Sequence, residues 1–157
     1  MVAGNKFPKI TAETLLGNEI TLPDDTAGKV TVIFIAFVRS AQSMIDSWMI
    51  PFEKEFPADK SIVVYEIPVI DSPLWRPFKS VIDGGMRSGI SPDKHDSIIT
   101  YCKDASLITG ELGIKDRSLA YIYILDQNGV IIWENKGYAD LAGLSEMKNI
   151  LRSIKSG

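Results

Sequence analysis

The sequence contains one cysteine and one histidine, Cys102 and His95, among its 157 residues. A lone cysteine excludes an intramolecular disulfide, so the core has to hold the fold without a covalent link. The same two residues are too few for the usual closed zinc site, which takes four cysteine or histidine ligands. We therefore expect His95, with Asp93 and Asp96 beside it, to lie in a surface loop. We also expect the chain to need neither a metal nor a cofactor.

Long apolar runs and an excess of positive charge are also missing. The longest apolar run is about nine residues, whereas a membrane-spanning helix needs roughly 20. The formal net charge is −3, which predicts no attraction to nucleic acid or to an anionic membrane surface. We expect any contact with a membrane to be indirect, through a client protein. No pattern in the sequence indicates an oligomeric state.

The first ten residues, MVAGNKFPKI, have neither the apolar segment of a secretory signal nor the arginine-rich pattern of a transit peptide. For the chain as it stands we therefore expect a cytoplasmic location. If a targeting segment has been removed, we expect an exported or organellar protein instead.

What the sequence does contain is a clear junction between a strand and a helix. Val30 to Val38 are almost all apolar or β-branched, which predicts a central strand covered on both faces. After Ser43, apolar residues recur every three or four positions and predict a helix with one apolar side. Pro51 lies inside that helix and predicts a kink near residues 47–50. The apolar positions are Met44 or Ile45, Trp48, Met49, Phe52 and Phe56.

This junction is where the thioredoxin-like fold carries its Cys-x-x-Cys pair. Here the same spacing carries Ser40 and Ser43. A hydroxyl near neutral pH is neither ionised nor able to form a disulfide, so dithiol exchange is excluded at these positions. A serine hydrolase is also disfavoured, because His95 stands at no diagnostic spacing from either serine.

Two interpretations of these serines remain open. The plainer one is that their hydroxyls cap the first turn of the helix, because serine is a favoured capping residue. The other is that Arg39, Ser40 and Ser43 form one side of a groove, with Leu119 and Ala120 on the other. In that case the backbone beside Leu119 and Ala120 pairs with an extended polypeptide partner.

Two strand signals flank the junction. Ile10–Leu15 and Glu19–Leu22, joined at Gly17-Asn18, predict a hairpin before the central strand. Ser61–Val69 predicts a second strand that pairs parallel to the first one.

The signals in residues 71–118 are weaker and predict an insertion-like helical arm. A helix is expected to begin near Pro73 and to weaken at Gly84-Gly85, and the glycine-rich stretch to Gly89 is expected to be a flexible turn. A short strand is predicted at Ser97–Tyr101, and a short helix at Leu107–Leu112 that Gly113 stops.

The C-terminal part predicts a hairpin and a helix. Leu119–Leu125 and Val130–Trp133 flank an Asp-Gln-Asn-Gly turn, and Asn-Gly is suited to the positive φ angles of tight turns. Leu141–Ile154 has the periodicity of a helix that covers one face of a sheet. The order of the predicted strands and helices along the chain indicates one α/β domain over residues 1–157, with a thioredoxin-like fold. Its mixed central sheet has helices on both faces, and a β-hairpin precedes it.

Several motifs then resemble one family. The opening ETLLGNEITLP…GKVTVIF is similar to those of TlpA-like and peroxiredoxin-like proteins. The segments SWMIPF, PLWRPF, GMRSGISPDKH and AYIYILDQNGVIIWENKGYA resemble the mitochondrial ATP synthase assembly-factor ten family, over about residues 29–151. A Gly-Tyr-x-Tyr-Leu-x-Asp strand, a Trp and a Gly-x-Ala recur in that family. They are matched here by Tyr121, Tyr123, Leu125, Asp126, Trp133, Gly137 and Ala139.

The resemblance implies a thioredoxin-like scaffold without redox cysteines that assists assembly of a membrane subunit of ATP synthase. Redox thioredoxins also have a cis-proline, which corresponds here to Ala120. A cis bond before a residue other than proline costs about 3 kcal/mol, so we expect a trans bond there.

Two further features have a functional and a plain interpretation. Cys102 could be a peroxidatic or regulatory thiol, but a lone cysteine is more often buried and inert. The tryptophans are expected to be core anchors. In the arm, however, Trp75, Arg76 and Phe78 form a pattern typical of contact surfaces.

The main hypothesis is therefore a redox-inactive thioredoxin-like module that binds a polypeptide and acts in assembly, with no catalytic residue. The alternative is a thiol oxidoreductase or peroxidase of the TlpA or peroxiredoxin type that uses Cys102 alone.

Overall fold

The computed structural model describes residues 3–57, 61–71 and 79–155. Its main sheet has four strands in the order β4-β3-β5-β6, and β1 and β2 form a separate two-stranded sheet. The strands are β1 Ile10–Glu13, β2 Glu19–Leu22, β3 Val30–Ala36, β4 Ile62–Pro68, β5 Tyr121–Leu125 and β6 Ile131–Lys136. The helices are α1 Gln42–Glu55, α2 Lys79–Gly89, α3 Ser106–Leu112 and α4 Leu141–Lys155.

The predicted central strand is confirmed. β3 pairs parallel with β4, from Val30 opposite Ile62 to Ala36 opposite Pro68, and antiparallel with β5 on its other side. Every residue of β3 except its last is buried. β5 and β6 are antiparallel, so the sheet is mixed, as predicted. This position between two strands explains the lack of polar alternation in β3, because neither of its faces meets water.

The two faces of the sheet belong to two hydrophobic clusters. Ile33 and Ile35 of β3 pack with the hairpin and α3 on one face. Val32 and Phe34 pack with α1 and α4 on the other face. Side chains alternate along a strand, so one apolar run supplies both clusters. The thioredoxin-like α/β architecture with helices on both faces is therefore confirmed.

Both hairpins are confirmed. β1 and β5 are shorter than predicted, β2 has its predicted bounds, and β6 runs on to Lys136. In the first, Ile10 lies opposite Leu22, and both residues are buried. In the second, Gly129 has φ +79°, and the Asp126 carboxylate accepts hydrogen bonds from the N–H groups of Asn128 and Val130. The Asp126 side chain therefore holds the turn that Asn-Gly predicted.

The arm differs from its prediction at two places. α2 continues through Gly84 and Gly85 to Gly89, so the predicted flexible turn is wrong. A glycine costs about 1 kcal/mol in a helix, and tertiary contacts such as Arg87 Nη1 to the Leu15 carbonyl, 3.1 Å, help to offset that cost. His95 is buried instead of lying in a surface loop, and its Nε2 is 2.9 Å from the Ile90 carbonyl oxygen.

Other parts of the arm follow the prediction more closely. α3 ends at Gly113, which has φ +65°, as predicted for a glycine stop. The predicted strand at Ser97–Tyr101 is reduced to single bridges, which join Ile98 to Glu66 and Tyr101 to Val69 along the outer edge of β4. The start of the predicted helix near Pro73 falls outside the described residues.

Pro51 lies within α1, which runs on to Glu55, and the kink stays a prediction. Among the helices in the described ranges, none combines the length and the apolar character that crossing a bilayer requires.

Candidate functional site at the carboxyl end of the central strand

The candidate site begins where β3 ends. After Ala36 the chain turns at Phe37 and Val38, forms a 3-10 turn over Arg39–Ala41, and enters α1 at Gln42. Val38 is the last extended residue, with φ −136° and ψ 149°. The chain therefore becomes helical at Arg39, before either serine.

This early start overturns the capping interpretation of the serines. Ala41 precedes α1 in a helical conformation, and no side chain caps the helix. The residue at the true boundary is Val38, whose side chain has no oxygen to accept a hydrogen bond. Ser40 and Ser43 instead lie within the first turns, and both are exposed.

The Ser43 hydroxyl connects α1 to the segment after β6. Its Oγ donates to the Ser40 carbonyl, 3.2 Å away, and lies 2.7 Å from the Tyr138 hydroxyl. Tyr138 is nevertheless 60% exposed. The second serine therefore makes a polar contact with an accessible aromatic ring.

Further contacts fix the segment after β6, residues 137–143, against α1. Trp48 Nε1 donates to the Gly137 carbonyl at 2.9 Å, and the Ala139 N–H donates to Ser47 Oγ at 2.9 Å. Trp48 is 1% exposed and meets Trp133 edge to face, with ring centres 5.7 Å apart. These two tryptophans are core anchors, as predicted.

Ala120 lies on the opposite wall, and the peptide bond before it is trans. Its N–H donates to Met44 Sδ at 3.4 Å, and its carbonyl accepts from the Gly137 N–H at 2.9 Å. Both backbone groups of Ala120 are therefore engaged within the protein. Ala120 can offer a partner a surface but no backbone pairing.

Leu119, the preceding residue, differs from Ala120 in its backbone hydrogen bonding. Backbone groups alternate sides along a strand, and the Ala120 carbonyl faces β6, so the Leu119 groups face the β3 side. Extending the pairing of Ile35 with Tyr121 by two residues brings Leu119 opposite Phe37. Within the described part of the chain, no hydrogen bond engages the Leu119 backbone. Its side chain is half-buried against the hairpin-side cluster.

The predicted groove residues therefore meet at one end of the sheet. Arg39 and Ser40 precede α1, while Ser43 lies in its first turn. Leu119 and Ala120 lead into β5. Arg117 stands nearby, 2.7 Å from the Asp71 carboxylate and 5.5 Å from the centre of the Phe37 ring. That carboxylate also accepts the Ala105 N–H, so the charge of Arg117 is locally compensated.

A cavity of about 690 Å³ opens beside this groove, on the other side of Arg39. Its wall is mainly apolar and comes from the β3–α1 junction, β4, α2 and Ile98. A second cavity of about 470 Å³ follows α1 toward Phe56. Glu66 and Ile98 line both cavities.

Sequence reasoning missed Glu66. Burial raises the pKa of its carboxyl above the ordinary value, and the negative charges of Asp46 and Glu53 raise it further. A hydrogen bond with Gln42 and the positive charge of Lys94 act in the opposite direction and lower the pKa. The available signal was a carboxylate in the middle of the apolar run IVVYEIPV. Charged residues are rarely buried without a partner, so that position called for an explanation.

The remaining candidate residues add little to this site. Cys102 forms no disulfide and is half-buried, so it is not the fully packed thiol that we expected. In the ranges that the structure covers, no three potential ligands come together to hold a metal ion. The predicted contact residues Trp75, Arg76 and Phe78 lie outside the described residues.

Comparison with solved structures supports the fold. The chain superposes on a putative electron transfer protein from Aquifex aeolicus VF5 with a TM-score of 0.72 and 16% identity, covering 98% of this chain and 95% of that one. A putative protein disulfide isomerase from Bacteroides thetaiotaomicron gives 0.69 and 13%, with coverages of 99% and 91%. The reduced 2-Cys peroxiredoxin of Plasmodium vivax gives 0.63 and 13%, with coverages of 99% and 98%.

At these identities the likeness shows a thioredoxin-like fold and nothing finer. No curated protein matches the sequence. The sequence model described as ATP10 protein, in contrast, matches residues 3–154, nearly the whole chain. With one cysteine and no Cys-x-x-Cys pair, this thioredoxin-like chain belongs to the ATP10 protein family.

Proposed function

We propose that this chain is a redox-inactive, polypeptide-binding module that acts in the assembly of a client protein. The observation that carries the proposal is the pair of hydroxyls, Ser40 and Ser43, at the position of the redox dithiol. Without thiols at this junction, what it offers a partner is shape and hydrogen bonds. Membership of the ATP10 family agrees with this role.

The proposed binding mode is strand addition beside β5. The Leu119 backbone groups face the β3 side, where an extended polypeptide can pair with them. Half-exposed Phe37 and exposed Val38 and Tyr138 surround that position and provide apolar contact area. Such a site selects an extended segment with apolar side chains and requires no cofactor. We propose that a membrane is involved only through the client.

Site-specific photocrosslinking tests the binding proposal. A photoreactive phenylalanine analogue at Ser40 is expected to capture a polypeptide from the native host, whereas the same analogue at Glu111 is not. Glu111 is exposed in α3, which packs on the other face of the sheet. Equal capture from both positions, or from neither, would contradict the proposal.

Insulin reduction tests the lack of redox function. The natural chain is expected to show no turnover. Ser40→Cys with Ser43→Cys restores the dithiol spacing and serves as a positive control on the same scaffold. Turnover by the natural chain that Cys102→Ser abolishes would overturn the proposal.

The half-burial of Cys102 favours one alternative, a peroxidase or oxidoreductase that uses this thiol alone. Peroxide consumption and the rate of native-state alkylation of Cys102 distinguish the two functions. Rapid alkylation together with peroxide turnover would favour the enzyme, and slow alkylation without turnover the binding module.

A further inference from the structure

Glu66 stands in the layer between the sheet and α1, where apolar residues are the rule. Ile62 and Val64, the preceding residues on the same face of β4, both pack in the α1-side cluster. Phe34, its neighbour across the β3–β4 pairing, is fully buried there. An ionised carboxylate in such surroundings is costly unless it has a partner. A carboxylate at this position is therefore better suited to binding a ligand than to packing in the apolar core.

The cavity beside Glu66 is large enough for a bound group. Its volume of about 690 Å³ lies within the range of roughly 300–1,000 Å³ that is usual for ligand pockets. Ile82, Met86 and Ile98 contribute apolar wall. Val38 and Val81 stand at the rim, 41% and 70% exposed. Arg39 lines it too, so the cavity adjoins the groove proposed above at this residue.

Charged residues of both signs surround Glu66. Asp46 and Glu53 from α1 act on its carboxyl, as does Lys94 from the segment before Ile98. Lys94 Nζ is 3.0 Å from Glu53 Oε1 and is therefore largely committed to that carboxylate. The α2 residues that line the cavity, Val81, Ile82, Gly85, Met86 and Gly89, carry no charge. Among the described residues, Arg39 is the cation that lines this cavity.

We propose that this cavity receives a lysine side chain of the polypeptide partner, with its ammonium group against Glu66. The inference rests on the proposed function, which supplies a polypeptide in the adjoining groove. A lysine matches both parts of the wall, because its aliphatic stem packs on apolar side chains while its end carries the complementary charge. The Gln42 amide, which donates to Asp46 Oδ1 at 3.0 Å and also bonds Glu66, holds the acidic group in place.

An ammonium group bound beside Glu66 is expected to lower the pKa of its carboxyl and so to favour loss of the proton. The carboxyl of Glu66 starts with a raised pKa, and an adjacent cation favours its ionised form. The affinity should therefore increase as the pH rises through the raised pKa of Glu66. The charged residues that act on Glu66 or line its two cavities are Asp46, Glu53, Asp93, Lys94 and Arg39, and charge-neutral variants of these residues separate their effects from that of Glu66.

The test is a titration of the ¹⁵N-labelled chain followed by NMR. The probes are acetyl-Ser-Leu-Lys-Leu-Ser-amide and the same peptide with norleucine in place of lysine. The lysine peptide should shift the amide signals of Gly85, Gly89 and Ile98, and the norleucine peptide should bind about tenfold more weakly. Glu66→Gln keeps the size and a hydrogen-bonding group, and it should remove that difference. Glu111→Gln, at an exposed position on the other face of the sheet, should retain it, and the well-dispersed spectrum of each variant confirms folding.

The amide of Leu119 reports on the groove separately. Peptide shifts at Leu119 without shifts at Gly85 and Gly89, unchanged in Glu66→Gln, would overturn the lysine cavity and leave the proposed function intact. Shifts at neither place would overturn both. Glu66-dependent binding of free hexylammonium without binding of the lysine peptide would assign the cavity to a small amine and overturn the polypeptide as its source.

Discussion

The two sides of α1 differ in how they are packed. On one side, which we call the closed flank, residues 137–143 lie against α1 and are joined to it through Trp48, Ser47 and Ser43. On the other side, the open flank, β4 and α2 leave the cavity that contains Glu66. A helix fixed firmly along one side can leave room on the other without losing its position. The closed flank thus anchors α1, while the open flank contains the cavity for which we propose a bound lysine.

The sharpest way to break this comparison is to remove the anchor of the closed flank. Trp48→Ala deletes a fully buried ring and its hydrogen bond to Gly137, and we expect a loss of about 3–5 kcal/mol in the free energy of unfolding. Ile50→Ala, at an exposed position of the same helix, should change it by less than about 0.5 kcal/mol. Urea denaturation measures both. Similar losses would mean that the closed flank does not anchor α1.

A pair of glycine substitutions compares the two flanks directly. A Cβ on Gly143 would lie 2.6 Å from Trp48 Cη2 and 3.0 Å from Asp140 Oδ1, so Gly143→Ala should destabilise the protein by about 1–3 kcal/mol. A Cβ on Gly85, in α2 on the open flank, would meet nothing within 4 Å. Gly85→Ala should therefore stabilise it by about 0.5–1 kcal/mol. Thermal unfolding of both variants checks the opposite signs, and the same sign in both would refute the comparison.

The open flank should also show a distinct pH dependence. Burial raises the pKa of Glu66 in the folded chain, so the folded state binds its proton more tightly than the unfolded state does. The contribution of Glu66 to stability therefore falls as pH rises from its ordinary value through the raised one. Glu66→Gln should be more stable than the natural chain at neutral pH, with the difference vanishing in acid. Urea midpoints across that pH range measure this, and an unchanged difference in acid would contradict it.

The smallest effect is expected at the hydroxyls near the groove. Ser43 and Tyr138 are both exposed, so Ser43→Ala and Tyr138→Phe should each cost no more than about 1 kcal/mol. The double variant should cost less than the sum, because both changes remove one shared hydrogen bond. Denaturation of the four proteins gives this coupling. Fully additive losses would show that the bond contributes nothing to the closed flank.

Sequence periodicity predicted the elements whose environment is uniform along their length. β3 is apolar at every position except Thr31 because both of its faces are covered, and the hairpin at Asn128-Gly129 carries its own turn chemistry. The failures have a different origin. Gly84 and Gly85 are weak helix formers, yet α2 continues through them, and Arg87 in its last turn binds the Leu15 carbonyl. Helix propensity is a property of the local sequence and takes no account of such a tertiary contact.

At the candidate site, the serine positions and the Leu119–Ala120 wall followed from the fold that the sequence predicted. The capping role of the serines did not hold, because the chain turns helical at Arg39, after a residue with no capping oxygen. The use of the Ala120 backbone by Met44 and Gly137 involves residues far apart in sequence. Spacing along the chain gives no information about such contacts.

The amino-acid sequence by itself determined the succession of the main strands and helices along the chain, the two apolar sides of the central strand and the absence of a dithiol, since each follows from local composition and spacing. Only the tertiary structure decided that one flank of α1 is closed and the other open, and that a carboxylate faces the open one. The physical reason is that burial and hydrogen bonding depend on which distant segments meet. Glu66 acquires its raised pKa from the enclosure that β4, α1 and the segment before Ile98 create together.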